Sequence, residues 1–217
     1  LQKKGIAWES AVAKGTNMRM FRLIRSKLDE ANLEIGKARG EAPDAKGTGK
    51  RFSHVMAIAP NASSSIIMGN TSPSIEPFRA NAYRQDTLSG AYLNKNKHLD
   101  SVIKAKCEED KKLDYDEIWS SIIANDGSVQ HLKCLTEDEK SIYKTSMEID
   151  QRWLIEHASD RQEFIDQAQS VNVFFRPDTH LKYLHAVHFQ AWKQGLKTLY
   201  YCRSEKIGRA DRVAKKI

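Results

Sequence analysis

The sequence predicts an α/β protein in which helices pack outside a largely buried sheet. Three observations carry that prediction. Apolar residues recur at spacings of three and four in several segments, the mark of amphipathic helices. Short apolar runs of strand length lie between them, such as Val55-Met56-Ala57-Ile58-Ala59. The two kinds of segment alternate along 217 residues, long enough to bury a sizeable core. Hydrophobic residues at 40% and charged residues at 29% are globular values and exclude a wholly disordered chain. No apolar run reaches the roughly 18 residues that a membrane-spanning helix needs.

The first helix is expected over residues 17–38, where Phe21, Ile24, Leu28, Ala31 and Ile35 form one stripe, Thr16 or Asn17 can cap the start and Gly40 can end it. A turn-rich loop follows, from Glu41 to Lys50. Phe52 to Ala59 reads as a buried strand stopped by Pro60, and Asn61-Ala62-Ser63-Ser64-Ser65 leads into a short helix through Ile66-Ile67-Met68. Residues 71–90 hold Pro73, Pro77 and Gly90 and read mostly as loop. A helix is expected over 114–124, closed by the turn Asn125-Asp126-Gly127-Ser128. A long helix is expected over 137–158, opened by Thr136 and Glu139 in capping-box spacing. Strands are expected at 170–174 and at 196–202. Between them lies a helix over 179–193, with Leu181, Leu184, His188 and Trp192 on one face and Gly195 at its end.

Chemistry is most legible at Pro60-Asn61-Ala62-Ser63-Ser64-Ser65. The first N–H groups of a helix lack intrahelical partners, and a strand running into such a turn presents them, with serine hydroxyls, at a sheet edge. An anion such as phosphate suits that arrangement; a plain serine cap suits it too. Tyr200-Tyr201 stands out on the last strand, where adjacent side chains are expected on opposite faces and packing is the ordinary role. His180, His185 and His188 cluster on one helix, but no third ligand accompanies the last two, so no metal is expected and His188 is placed in the core. Cys107, Cys134 and Cys202 are odd in number and lack a C-x-x-C, which argues against a disulfide framework and for a reducing cytoplasm. Net charge is +7, with bases and acids interleaved, so neither direct nucleic-acid binding nor membrane binding is expected. The chain opens on Leu1 without a signal peptide and stops inside the basic run from Lys206 to Lys216, so it reads as a piece of a longer polypeptide.

The order of these motifs is similar to that of a known family. Ala57 to Ser65, followed by Gly69-Asn70 and Ile75-Glu76-Pro77, resembles the family's Pro-x-x-Ser-Thr/Ser stretch and the Glu-Pro after it. The likeness continues through Leu88-Ser89-Gly90, Asn125 to Gln130 and Phe164 to Asn172, and it ends with Trp192 to Tyr201. Upstream, Arg39 to Asp44 also matches, so the likeness runs from about residue 17 to 204. The family is the large, catalytic subunit of class I ribonucleotide reductase.

The resemblance implies a ten-stranded α/β barrel, of which residues 1–205 form the second half and 206–217 begin a basic C-terminal segment. It implies radical reduction of ribonucleoside diphosphates, with Pro60, Asn61, Ala62, Ser63, Ser64 and Ser65 cradling the substrate diphosphate. Tyr200 and Tyr201 match the stacked pair that carries a radical from the small subunit. The implied partners are that small subunit, a second large subunit, and a thioredoxin- or glutaredoxin-type dithiol reductant. No cofactor is implied for this segment. Some relatives carry an acidic residue at the position of Ala62, which puts the weight there on backbone groups. The radical cysteine and the reducing cysteine pair match nothing in this sequence, so the segment by itself is expected to be inactive. The competing readings are a non-catalytic phosphate- or nucleotide-binding module built from the same barrel, and a basic nucleic-acid-binding protein whose affinity falls steeply with salt.

Overall fold

The computed structural model describes residues 1–69, 71–87 and 90–204. Asn70, Leu88, Ser89 and the basic segment 206–217 of the sequence expectations lie outside those residues. Helix α1 runs Ala11–Arg39, starting earlier than its apolar stripe predicts because Ser10 Oγ, not Thr16 or Asn17, accepts the capping bond from Ala13 N at 3.1 Å. Its buried face is Ala13, Phe21, Asn32 and Gly36, while Ile24 of the predicted stripe is exposed. The packed face is thus chosen partly by a small and a polar residue. Asn32 holds the returning chain by donating from Nδ2 to Phe52 O (2.8 Å) and accepting from Phe52 N (2.7 Å).

The expected strand at 52–59 is not formed beyond a single parallel bridge, Ile58 with Gln169. The cause is local. Asp166 Oδ2 accepts from Val55 N and Met56 N at 2.8 and 3.2 Å, and so takes donors a ladder would need. Met56 and Ile58 nevertheless pack on Phe21, Phe164 and Ile165. Helix α2, Ala62–Ile67, follows as predicted. The segment read as loop contains strand β1, Ala82–Thr87, which pairs antiparallel with β2, Gly90–Lys95. Helix α3, Lys97–Glu109, is capped by Asn96 and buries Leu99 and Ile103.

Helix α4, Tyr115–Ala124, is capped by Asp114, and the predicted turn follows it, with φ of 55° at Asp126 and 79° at Gly127. These two helices, with Ala82, Val129, Leu132 and Tyr143, build one core around Trp119. The long helix expected over 137–158 is instead two. Helix α5, Glu137–Ile142, carries the predicted Thr136–Glu139 capping box. Helix α6, Gln151–Gln162, starts at its own cap, Asp150. Between them Thr145 N donates to Glu148 Oε2 and Ser146 N to Phe78 O, so side-chain and distant acceptors replace helical ones.

Strand β3, Val173–Phe175, is wholly buried and pairs in parallel with β4, Cys202–Ser204. The second strand therefore begins at the residue where the prediction ended it. Helix α7, Leu181–Lys193, is capped by His180 and followed by Gly195 at φ 78°. Its buried residues are Val187 and Ala191, whereas Leu181 and Trp192 of the predicted face are 77% and 73% exposed. Helices α6 and α7 cover β3 through Leu154, Ile155, Ala158, Val187 and Ala191. The α/β character is as expected; within the described residues the sheets are two-stranded and do not close into a barrel.

Candidate functional site

The serine turn is built on a strained residue. Asn61 has φ 42°, a left-handed conformation that asparagine tolerates better than most residues. It turns the chain out of the Ile58 bridge and into α2, where Ser65 N donates to Asn61 O at 3.2 Å. Pro60, Asn61, Ser63 and Ser64 are exposed and Ser65 is buried; Ala62 opens the helix, and its side chain lies outside the described residues. Pro60 and Ser65 border a cavity of about 430 Å³ whose other walls include Glu76, Arg79, Asn172 and Arg203. Of the residues predicted at this site, these two reach the cavity, whereas Asn61, Ser63 and Ser64 do not line it.

Glu76 is the buried charge of the cavity wall. Burial raises its pKa, against the opposing pull of hydrogen bonds from Asn172 and the nearby charges of Arg79 and Arg203. Asn172 N donates to its Oε1 at 2.7 Å and Asn172 Nδ2 to its Oε2 at 3.0 Å. Partial desolvation and the like charge of Arg203 lower the Arg79 pKa, and Glu76 opposes both. The cavity thus sets two guanidinium groups beside one carboxylate, a balance suited to an anionic ligand.

The tyrosine pair lies on the approach to β4. Residues 200 and 201 precede the strand, so strand alternation does not separate their side chains. The rings stack at a tilt, with centroids 4.2 Å apart. Both are about half exposed, and the Tyr201 phenol raises the Tyr200 pKa. The backbone is fixed on both sides: Tyr200 N donates to Val171 O at 2.8 Å and Val173 N to Tyr201 O at 2.9 Å. The Arg203 guanidinium stands 4.9 Å from the Tyr201 ring centroid and also lines the cavity that Pro60 and Ser65 border; Tyr200 and Tyr201 themselves do not line it.

The histidines and cysteines lie apart from this cavity's lining. His188 is half-buried, bonded through Nδ1 to Leu184 O and stacked on Phe175. His185 stacks on Phe189 at the surface, and His180 is the α7 cap. Cys107 and Cys134 border the Trp119 core, where burial raises the Cys134 pKa; Cys202 is exposed on β4. Among the described residues no three His, Cys, Asp or Glu side chains converge as metal ligands, and no helix is long and apolar enough to cross a membrane.

Residues 42–202 match the family model of the ribonucleotide reductase barrel domain. The chain belongs to that family. It is 54% identical over 216 residues to the ribonucleoside-diphosphate reductase large subunit of Invertebrate iridescent virus 6, a match that covers 99% of this chain and 22% of that protein. Its identity to the corresponding subunit of Danio rerio is 39% over 158 residues, covering 72% of this chain and 19% of the relative. In three dimensions it is similar to the alpha subunit of the class Id ribonucleotide reductase of Actinobacillus ureae, with a TM-score of 0.86 and 39% identity over 98% of this chain and 38% of that one. This reductase barrel segment therefore spans about a fifth of the length of these curated relatives.

The sequence motifs did not single out Arg79 or Arg203, and they held Glu76 only as half of a Glu-Pro match and Asn172 only as the end of the matched stretch from Phe164. A signal existed for Glu76: a single carboxylate in the otherwise apolar run Ile75 to Phe78. Arg203 carries no such mark, because a basic residue after a strand is ordinary.

Proposed function

We propose that this chain is part of the catalytic barrel of a class I ribonucleoside-diphosphate reductase large subunit, which reduces ribonucleoside diphosphates to deoxyribonucleoside diphosphates. The observation that carries the reading is the meeting of two motifs at one cavity. Pro60 and Ser65 approach it from the serine turn; Asn172 and Arg203, which contact Tyr201, approach from the other side. In this reading the turn holds the substrate diphosphate through backbone N–H groups and hydroxyls, and Arg79 and Arg203 supply the charge an anion requires. Tyr200 and Tyr201 pass the oxidising equivalent between a radical-generating small subunit and a cysteine supplied by another part of the full-length protein. A 4.2 Å separation puts the two rings in direct contact for that step. The further partners are a second large subunit and a thioredoxin- or glutaredoxin-type dithiol that restores the reduced state, in a reducing cytoplasm.

Ser65→Ala in the full-length subunit tests the substrate half of this reading, because Ser65 is the serine of the turn that borders the cavity. Loss of a hydrogen bond to a charged phosphate is worth roughly 1.5–3 kcal/mol. Nucleoside diphosphate affinity, measured by calorimetry, is therefore expected to fall roughly ten- to a hundredfold. Unchanged affinity in a folded variant contradicts a role for this hydroxyl in phosphate binding.

A further inference from the structure

Between the cavity and the tyrosines lies a buried polar pair that neither motif explains. Glu76 is 3% exposed and Asn172 5%. The carboxylate accepts both the main-chain N–H of Asn172 and its side-chain amide, at 2.7 and 3.0 Å. The other end of that amide, Oδ1, accepts from Tyr201 N at 3.1 Å. Neighbouring bonds run backbone to backbone, from Tyr200 N to Val171 O and from Val173 N to Tyr201 O. At Tyr201 N a side chain stands in for the carbonyl.

An asparagine amide can turn over and exchange its oxygen for its NH₂ group. Turned over, Asn172 would present N–H to the N–H of Tyr201 and lose its grip on that peptide. The carboxylate of Glu76 can only accept, so it binds the NH₂ end and keeps the oxygen directed at Tyr201. Arg79 and Arg203 act on Glu76 through space. A buried carboxylate is a poor way to gain stability, since a neutral residue of like size fills the volume without the desolvation cost. Orientation of Asn172 is a property a neutral apolar residue cannot supply.

We propose that Glu76 and Asn172 are positioning residues for the Tyr200–Tyr201 pair: Glu76 fixes the orientation of the Asn172 amide, and Asn172 fixes the Tyr201 peptide and with it the contact between the two rings. The proposal rests on the reading of these tyrosines as a radical path. Transfer between adjacent redox side chains falls steeply with their separation, and misplacement of a reacting group by about 1 Å can cost on the order of a hundredfold.

The test uses the full-length subunit with its small-subunit partner and the variants Asn172→Asp, Glu76→Gln and both together. Asn172→Asp keeps an acceptor for Tyr201 N but sets two carboxylates face to face. Glu76→Gln is isosteric and able to bond either end of the amide, so it releases the orientation. The double variant exchanges the amide and the carboxylate between the two positions. The amide now at position 76 donates to the carboxylate now at position 172, whose second oxygen accepts from Tyr201 N. Each single change is expected to lower kcat about tenfold or more while the KM for nucleoside diphosphate stays within about twofold, and the double variant is expected to recover most of the loss. If Asn172→Asp does not fold, Glu76→Gln decides alone by the same split. A raised KM with kcat intact would make Glu76 a determinant of substrate binding and not of the tyrosine contact and overturn the proposal, as would unchanged kcat in Glu76→Gln or no recovery in a folded double variant. Tyr201→Phe is assayed alongside. If it keeps full turnover, the radical path fails and the proposal with it. If it loses turnover while the Glu76 and Asn172 variants keep theirs, the positioning role alone fails.

Discussion

Asp150 caps α6 and is a heavily bonded, half-buried carboxylate near the fold's second core. It accepts from Arg152 N at 3.0 Å, from the Arg152 side chain at 2.5–3.1 Å and from the Tyr183 hydroxyl at 2.7 Å. Burial works to raise its pKa; the bonds from Arg152 and Tyr183 outweigh burial and hold it at about 2, below its ordinary 3.8. A depressed carboxylate pKa contributes stability that is complete above the unfolded value, near pH 4, and is lost as pH falls through the folded one, near pH 2. Because solvent screens this site, Asp150→Asn is expected to cost only about 1 kcal/mol at pH 7. Thermal unfolding of the full-length subunit with pH should show that gap closing between about pH 4 and pH 2. A gap of the same size at pH 2 would mean that the side chain acts by shape rather than by charge.

Among the elements, α1 makes the sharpest prediction because it holds two glycines in opposite surroundings. A Cβ at Gly36 would collide with Gly49 O, where the loop after α1 crosses the helix; a Cβ at Gly15 would meet nothing within 4 Å. Alanine is favoured over glycine in a helix by about 0.8–1.0 kcal/mol. Gly15→Ala is therefore expected to stabilise by up to that amount. Gly36→Ala is expected to destabilise by about 1–3 kcal/mol through overpacking, as the loop is pushed off Asn32. Denaturant midpoints of the two variants decide the matter, and shifts of the same sign would refute the crossing. Sequence alone showed where α2, α4, α7 and most of α1 lie, because their residue pattern is local, although the cap of α1 is Ser10 and the helix starts six residues before its expected beginning. It did not show the break before α6, because Ser146 N bonds to Phe78 O, far earlier in the chain. Nor did it show that Asp166 would take the donors of Val55 and Met56 across more than a hundred residues. The site divides the same way. The serine turn and the tyrosine pair are contiguous and legible, whereas Glu76 and Asn172 meet across 96 residues and acquire meaning only when the fold brings them together.

At the scale of the molecule, the α/β class followed from alternation of segments, but the arrangement of the sheets did not. Pairing of β3 with β4 spans the whole of α7, and the parallel bridge from Ile58 to Gln169 spans about half of the chain. Such pairings are set by tertiary packing, not by local pattern. What they accomplish is to bring Pro60 and Ser65 of one segment and Arg203 of another, the residue that packs on Tyr201, to one cavity. The central claim is that this convergence couples substrate to a radical path, and Tyr200→Phe and Tyr201→Phe test it most directly. Each change keeps the ring and removes only the phenolic O–H, so stability should fall by no more than about 0.5–1.5 kcal/mol. In the full-length subunit assembled with its small subunit, turnover of ribonucleoside diphosphate and its binding are measured on the same preparation. The account predicts near-normal binding with turnover reduced to background in both variants. Turnover close to that of the unsubstituted enzyme in either one would contradict it.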